Sequence, residues 1–265
     1  MSPYLIATDL DGTLLGADHA LAELTIETLR TLNARGHYIV LASGRHYRDI
    51  LVFRDQLGID VFIISTNGAY THAPDDRVLD ACHLPAEVAR TLIRLPRPEG
   101  IRLNLYSADE WLIDAPAPTL LALHAHTGFA YRVADLHALS GDDIGKVLYI
   151  GDAGELKALE QRAQDRAGSR LHLTYSLDNS LEIMAAGVTK GRALNALLAQ
   201  LGIPAERCLA FGDNRNDIEM LALAGEAHAM ANAHPALMDA VPGAMRIGSH
   251  DRAAVARHLR ERFAL

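Results

Sequence analysis

Four short apolar runs constrain this chain more than any other feature: residues 4–8, Tyr38–Ala42, Val61–Ser65 and residues 208–211. Each has the length of a strand and is too uniformly apolar for a sheet with one wet face. Each is therefore predicted as a strand covered on both faces. Segments of helical spacing separate the first three. Residues 21–35 repeat apolar side chains at Ile26, Leu29 and Leu32 and stop at Gly36, and Tyr47–Leu57 stops at Gly58; glycine after the last periodic residue is a helix stop. The β-α-β-α-β order predicts an α/β fold of Rossmann-like type, with a parallel sheet between helical layers.

The rhythm then changes. Asn67-Gly68 and Pro74-Asp75-Asp76 read as turns around a strand-like run at residues 69–72. Residues 101–106 alternate as a half-buried strand does, Asp109-Glu110 turns the chain, and residues 111–114 pair back. Lys146–Ile150, 170–175 and 180–184 are further strands, with a helix over 156–166, while 115–131 reads as loop and helix. This mixture predicts an inserted α+β unit. The βα rhythm returns with a helix at Lys190–Leu201, a strand at 208–211, a helix at 217–224 and a C-terminal helix at 253–263. The expected organisation is a discontinuous core, residues 1–82 and 185–265, holding an inserted cap of residues 83–184.

Composition narrows the function. The 265 residues are 49% apolar and 22% charged, which suits a packed globular chain. A net charge of −8 makes a poor attractor for nucleic acid or an anionic membrane. Small anions stay admissible, because a bound cation reverses the sign locally. The two cysteines, Cys82 and Cys208, form neither a metal motif nor a disulfide framework and fit a reducing cytoplasm. The N-terminal residues lack the basic start of a secretory signal, and no stretch has the uncharged length of a membrane span.

Four motifs carry chemistry. Asp9-Leu10-Asp11-Gly12-Thr13-Leu14 ends the first strand, at the edge where open α/β sheets bind ligands. Its two carboxylates, one residue apart, call for a compensating charge, most simply a divalent cation. Ser43-Gly44-Arg45 ends the second strand, where a hydroxyl and freed backbone N–H groups suit a phosphate. Lys190-Gly191 opens a helix, an unfavourable place for a lysine unless it serves an anion. Gly212-Asp213-Asn214-Arg215-Asn216-Asp217 follows another apolar strand and adds a second acidic cluster. Some of its Asx residues double as helix caps.

In this order the four motifs resemble the haloacid dehalogenase superfamily over nearly the whole chain. The position of the insert, with Gly44-Arg45-His46, Thr66-Asn67-Gly68-Ala69, Leu181-Glu182-Ile183 and Gly187-Val188-Thr189-Lys190-Gly191, is similar to the Cof-type phosphatases with a type IIB cap. Among these the chain most resembles bacterial pyridoxal phosphate phosphatases and thiamine-precursor pyrophosphate hydrolases. The resemblance implies a Mg²⁺-dependent phosphatase for small phosphorylated metabolites, either sugar phosphates or pyridoxal phosphate. It implies that Asp9 is nucleophile and Mg²⁺ ligand, that Asp11 is the general acid and base with its carbonyl on the metal, and that Asp213 completes the ligands with Asp217 behind them. Ser43, Lys190 and Asn216, with backbone groups of Leu10 and Gly44, are implied to hold the phosphoryl oxygens. Arg45, His46, Asn67 and Arg215 stand as candidate substrate contacts, Arg215 and His46 being as readily surface residues. His124 and His126 are read as non-ligands. The rival readings are a phosphotransferase or sugar phosphomutase using the same aspartate, and a sensor that binds without turnover. An aspartate at position 11 favours rapid hydrolysis or transfer.

Overall fold

The computed structural model describes residues 2–125 and 127–265, so His126 lies outside the described residues. The chain opens with β1 (Leu5–Thr8), α1 (Glu23–Ala34), β2 (Tyr38–Ala42), α2 (Tyr47–Leu57) and β3 (Val61–Ser65). A hairpin of β4 (Tyr70–His72) and β5 (Val78–Ala81) follows. The insert contains α3 (Ala86–Ile93), β6 (Arg102–Tyr106), β7 (Trp111–Ile113), α4 (Pro118–Leu123), β8 (Arg132–Val133), β9 (Lys146–Ile150), α5 (Ala153–Ala167), β10 (Leu171–Leu177) and β11 (Ser180–Ala185). The chain then returns through α6 (Lys190–Leu201), β12 (Cys208–Gly212), α7 (Ile218–Leu223), β13 (Glu226–Ala229), α8 (Pro235–Ala240), β14 (Met245–Arg246) and α9 (Ala254–Phe263).

The first sheet has eight strands in the order β14-β13-β12-β1-β2-β3-β4-β5. It is parallel from β14 to β3, and β4 and β5 extend it antiparallel. The period of two splits its strands between two apolar layers. Ile6, Ile39, Leu41, Ile63, Leu209 and Phe211 pack with α1, α2 and α9 on one side. Leu5, Ala7, Val40, Ala42, Ile64 and Ala210 pack with α6, α7 and α8 on the other. This is why the strands read as unbroken apolar runs. The antiparallel edge arises at Thr66-Asn67-Gly68, whose φ of +52°, +57° and +96° reverse the chain straight after β3.

The second sheet has six strands in the order β10-β11-β9-β6-β7-β8 and is antiparallel except where β7 meets β8. Leu103, Leu105, Val147, Tyr149, Leu181 and Ile183 face α3 and α5 and form the insert's core. Alternation turns Tyr106, Lys146, Leu148 and Glu182 to the other face, where they line a cavity with residues of the first sheet. Among the described residues no helix is long and apolar enough to cross a membrane.

Several elements are absent from the sequence reading. Helix α3 starts behind Pro85 and buries Val88, Ala89, Leu92 and Ile93, but it is only eight residues long. β13 and β14 are short and contain histidine and arginine in place of an apolar run.

Candidate active site

The acidic motifs converge because β1 and β12 are adjacent parallel strands. Thr8 is in register with Phe211, and the Asp9 amide donates to the Phe211 carbonyl at 3.0 Å. Asp9 and Asp213 therefore leave neighbouring strand ends. The chain runs from β1 towards β2 in one direction and returns to β12 on the other side, which makes this edge the topological switch point. After Asp9 the chain makes a wide turn over Leu10–Leu14, closed by the Leu15 amide on the Leu10 carbonyl at 2.9 Å. Gly12 sits in it at φ +79°, and a Cβ there would lie 2.5 Å from Asp213 Oδ2. Glycine thus lets the first acidic motif press against the second. Thr13 Oγ1 donates to Asp213 Oδ1 at 3.0 Å and fixes that carboxylate.

Lys190 reaches this point from the first turn of α6. A Cβ on Gly191 would meet Glu219 backbone at 2.5 Å, so the glycine lets α6 close onto α7 and aims the lysine inward. The Lys190 side chain is fully buried, and its Nζ donates to Asp9 Oδ1 at 2.6 Å and to Asp217 Oδ1 at 2.7 Å. Asp217 Oδ2 in turn accepts from the amides of Asp213 and Asn214, both at 3.0 Å, in a capping box with Asn214. Asp217 thus orients both the lysine and the Asp213 loop.

The local charge is unbalanced. One ammonium serves the buried Asp9 and Asp217, with Asp213 and Asp11 beside them. Burial, followed by the Asp217, Asp213 and Asp11 carboxylates, pushes Asp9 well above the usual carboxylate range despite Lys190. Burial and then Asp217 push Asp213 up to about 7. Lys190 stays protonated: burial opposes its charge, but Asp217 and Asp9 outweigh that. Asp9, Asp213 and Asp217 each offer a carboxylate oxygen within 4.8 Å of the others. Excess negative charge on hard oxygen donors is the environment that suits a small divalent cation.

The remaining predicted residues surround this centre. Ser43, buried, follows β2 and lines the cavity with Asp9, Asp11, Gly44 and Asn216. Arg45 lines the cavity too and is paired with Asp11: its Nε and Nη2 donate to the two Asp11 oxygens at 2.7 and 2.6 Å. Desolvation opposes ionisation of Asp11, but these two bonds hold its carboxyl below the usual range. Asn67 is buried outside the cavity lining; its Oδ1 accepts from Asn216 at 3.0 Å and its amide donates to Glu182. His46 is no surface residue. Its Nδ1 accepts from the Arg48 amide at 3.1 Å, so its Nε2 carries the proton and donates to the Ser107 carbonyl at 3.0 Å. With both nitrogens engaged and its ring stacked on Phe129 at 4.4 Å, it joins the two sheets' domains rather than meeting a ligand. Arg215 lies outside the cavity lining, 2.9 Å from His234 Nε2 and 3.7 Å from Asp178.

The profile of the haloacid dehalogenase-like hydrolases matches residues 6–259 of this chain. The chain belongs to that family. A curated relative from Cronobacter sakazakii, named HMP-PP phosphatase, is 37% identical over 253 residues, covering 96% of this chain and 93% of that one. A haloacid dehalogenase-like hydrolase from Bacteroides thetaiotaomicron superposes with a TM-score of 0.86 at 28% identity, covering 99% of this chain and all of the other. A sugar phosphatase of haloacid dehalogenase subclass IIB shares the fold, with a TM-score of 0.84 at 20% identity over 98% of this chain and 99% of its own. The architecture is thus the haloacid dehalogenase core with the inserted α+β cap.

In this hydrolase the cap supplies a wall that sequence reasoning missed. The cavity measures about 660 Å³ and is closed on the cap side by Tyr106, His124, Lys146, Leu148, Leu177 and Glu182. Lys146 Nζ donates to the Gly44 carbonyl at 2.7 Å and to Glu182 at 3.1 Å, and Asn214 Nδ2 donates to the Ser176 carbonyl at 2.7 Å. The bonds to Gly44 and from Asn214 tie cap to core at predicted motifs, and the Lys146–Glu182 pair lies within the cap. A signal existed: Lys146 and Glu182 interrupt otherwise apolar strands, and charges rarely sit at such positions unpaired.

Proposed function

We propose that this chain is a Mg²⁺-dependent phosphatase that hydrolyses small phosphorylated metabolites through an aspartyl-phosphate on Asp9. It is a phosphoric monoester hydrolase of the haloacid dehalogenase type. The observation that carries the mechanism is the Asp9 carboxylate, held through Oδ1 by the buried Lys190 where the cavity meets the acidic cluster. One oxygen is fixed and the other remains for attack.

Asp9, Asp213 and the Asp11 carbonyl would hold Mg²⁺, with Asp217 orienting the loop behind them. Bound Mg²⁺ supplies positive charge that lets an anionic carboxylate meet an anionic phosphoryl group. In the first half, an Asp9 oxygen bonds to phosphorus while the bond to the leaving oxygen breaks, and Asp11 protonates that oxygen. In the second half, water bonds to phosphorus, the Asp9–phosphorus bond breaks, and Asp11 takes the proton from water. The Arg45 pairing favours the carboxylate form of Asp11, the form the second half uses. Ser43, Lys190 and Asn216, with backbone N–H groups at Leu10 and Gly44, hold the phosphoryl oxygens. A carboxylate nucleophile divides a reaction whose uncatalysed form needs accelerations of up to about 10²¹.

The segment 83–184 would act as a mobile cap, closing to exclude water. The aromatic and aliphatic part of its wall, Tyr106, Leu148 and Leu177, together with the HMP-PP phosphatase relatives, favours a small planar leaving group. A thiamine-precursor pyrophosphate therefore ranks ahead of pyridoxal 5′-phosphate and the hexose phosphates. The test is kcat/KM across these compounds, a phosphopeptide and an oligonucleotide. The vitamin-precursor pyrophosphate should lead. A phosphopeptide or oligonucleotide in first place would overturn the small-metabolite reading.

A further inference from the structure

The core helix α2 carries a carboxylate that the mechanism above does not use. Asp49 is fully buried, one position from Ile50 and one turn from Phe53 on the helix's inward face. Three groups meet it. Arg45 Nη1 donates from its own helix end at 3.2 Å, and Thr127 Oγ1 and His124 Nδ1, the latter at 3.0 Å, come from the cap. Burial opposes its charge, but the His124 hydrogen bond, then Arg45 and the Thr127 hydrogen bond, hold Asp49 below the usual carboxylate range. A carboxylate only accepts, so His124 Nδ1 carries the proton and donates. In the neutral imidazole that tautomer leaves Nε2 as an acceptor.

His124 lines the cavity that contains Asp9 and Asp11, and its ring lies 4.9 Å from that of Trp111. Tyr106 and Leu148, from adjacent cap strands, line the same cavity, and Tyr106 stacks on Trp111 with an interplanar angle of 10°. The wall thus combines the aromatic and aliphatic surface of Tyr106 and Leu148 with the Lys146–Glu182 ion pair, whose ammonium lies 4.7 Å from the Tyr106 ring centroid, and with an imidazole whose orientation is set from the other domain. A fixed acceptor beside an aromatic surface selects a flat ring that carries a hydrogen-bond donor.

We propose that His124 is a specificity-determining residue: held through Nδ1 by Asp49, it offers Nε2 to a hydroxyl or amino donor on an aromatic leaving group packed against Tyr106 and Leu148. Asp49 is then a positioning residue, and the orientation it sets exists only with the cap seated on the core. This rests on the phosphatase reading above and adds the chemistry of the leaving group.

The experiment compares meta-hydroxybenzyl phosphate with benzyl phosphate, which have the same shape and differ by one donor. The readout is the ratio of their kcat/KM values with Mg²⁺ present. The wild-type enzyme should favour the hydroxylated ester about tenfold, the value of one well-placed hydrogen bond of about 1.4 kcal/mol. His124→Ala should bring the ratio close to one. His124→Gln, whose tip can still accept, should retain part of the preference. His124→Asn, which keeps a donor for Asp49 but has no group at the tip, should behave like His124→Ala. A purely structural latch predicts the reverse order, with Asn preserving the ratio and Gln losing it, and that result would overturn the proposal. So would an equal ratio in the wild type and His124→Ala, or no wild-type preference. Hydrolysis of neither ester and of no compound in the metabolite panel would overturn the phosphatase reading and this inference together; hydrolysis within the panel but of neither ester, or of both esters without discrimination, overturns this inference alone.

Discussion

Lys190 Nζ donates to Asp9 Oδ1 at 2.6 Å, and the same ammonium meets Asp217 at 2.7 Å on its other side. Two acids and one base are thus buried as a unit. Removing one member of a buried charge cluster strands the others, at a cost of roughly 3–5 kcal/mol. Lys190→Met should abolish turnover and lower the urea midpoint. Lys190→Met with Asp217→Asn should recover part of the stability and none of the activity. Equal stability of the wild type and Lys190→Met would contradict the coupling.

Gly12 is the contact point between the two acidic motifs. In Gly12→Ala the added Cβ would lie 2.5 Å from Asp213 Oδ2, at a φ of +79° that alanine resists. The substitution should raise the Mg²⁺ concentration for half-maximal activity by about tenfold, the scale of a disturbed metal environment. A metal titration checks it. An unchanged midpoint would argue against Asp213 as a ligand.

Ca²⁺ should inhibit. It takes about 6–8 oxygens at longer distances, whereas Mg²⁺ keeps a tight octahedron. Capture of both Asp9 oxygens would remove the attacking lone pair. Activity in excess chelator, or full activity with Ca²⁺ alone, would contradict the assignment.

Acid should weaken the fold through buried neutral histidines. Burial lowers His46 to about 4 from the usual 6.5, and burial and then neighbouring His258 lower His228 to about 4. His228 stacks on Phe211, with His258 and Glu226 as its titratable neighbours. The unfolded chain binds protons at these sites between about pH 6.5 and 4, and the folded chain does not. Stability from this source is therefore complete above pH 6.5 and falls as pH drops towards 4. Urea midpoints at pH 7.5 and 5 should show the decline, and His228→Gln should make it shallower. Equal slopes in both proteins would exclude His228 as a contributor.

The motifs at strand ends were legible because their spacing is local. Asp9, Ser43 and Asp213 each follow an apolar run, and a parallel sheet brings such ends to one edge. Lys190 was legible from its unfavourable place at a helix start. Arg45 was not. Its fork could face substrate or a carboxylate, and the pairing with Asp11 depends on how α2 packs beside β1. His46 read equally as a substrate contact or as helix-start surface, yet the cap covers it with Phe129 and Ser107. Asp49 and His124 are 75 residues apart, and nothing local joins them. The one trace the sequence offers is the charge of Asp49 beside Ile50 and Phe53 on the apolar face of α2, which demands a partner from elsewhere.

The central claim is that Asp9 is the nucleophile. Asparagine has nearly the same shape but cannot form the acyl phosphate. The decisive measurement is hydrolysis of a chromogenic aryl phosphate by Asp9→Asn with Mg²⁺, alongside its thermal melt and an intact-mass check against deamidation. Asp9→Asn should melt as the wild type does, with turnover reduced by roughly 10⁴-fold or more. A rate near wild type in protein whose mass confirms asparagine would contradict the claim.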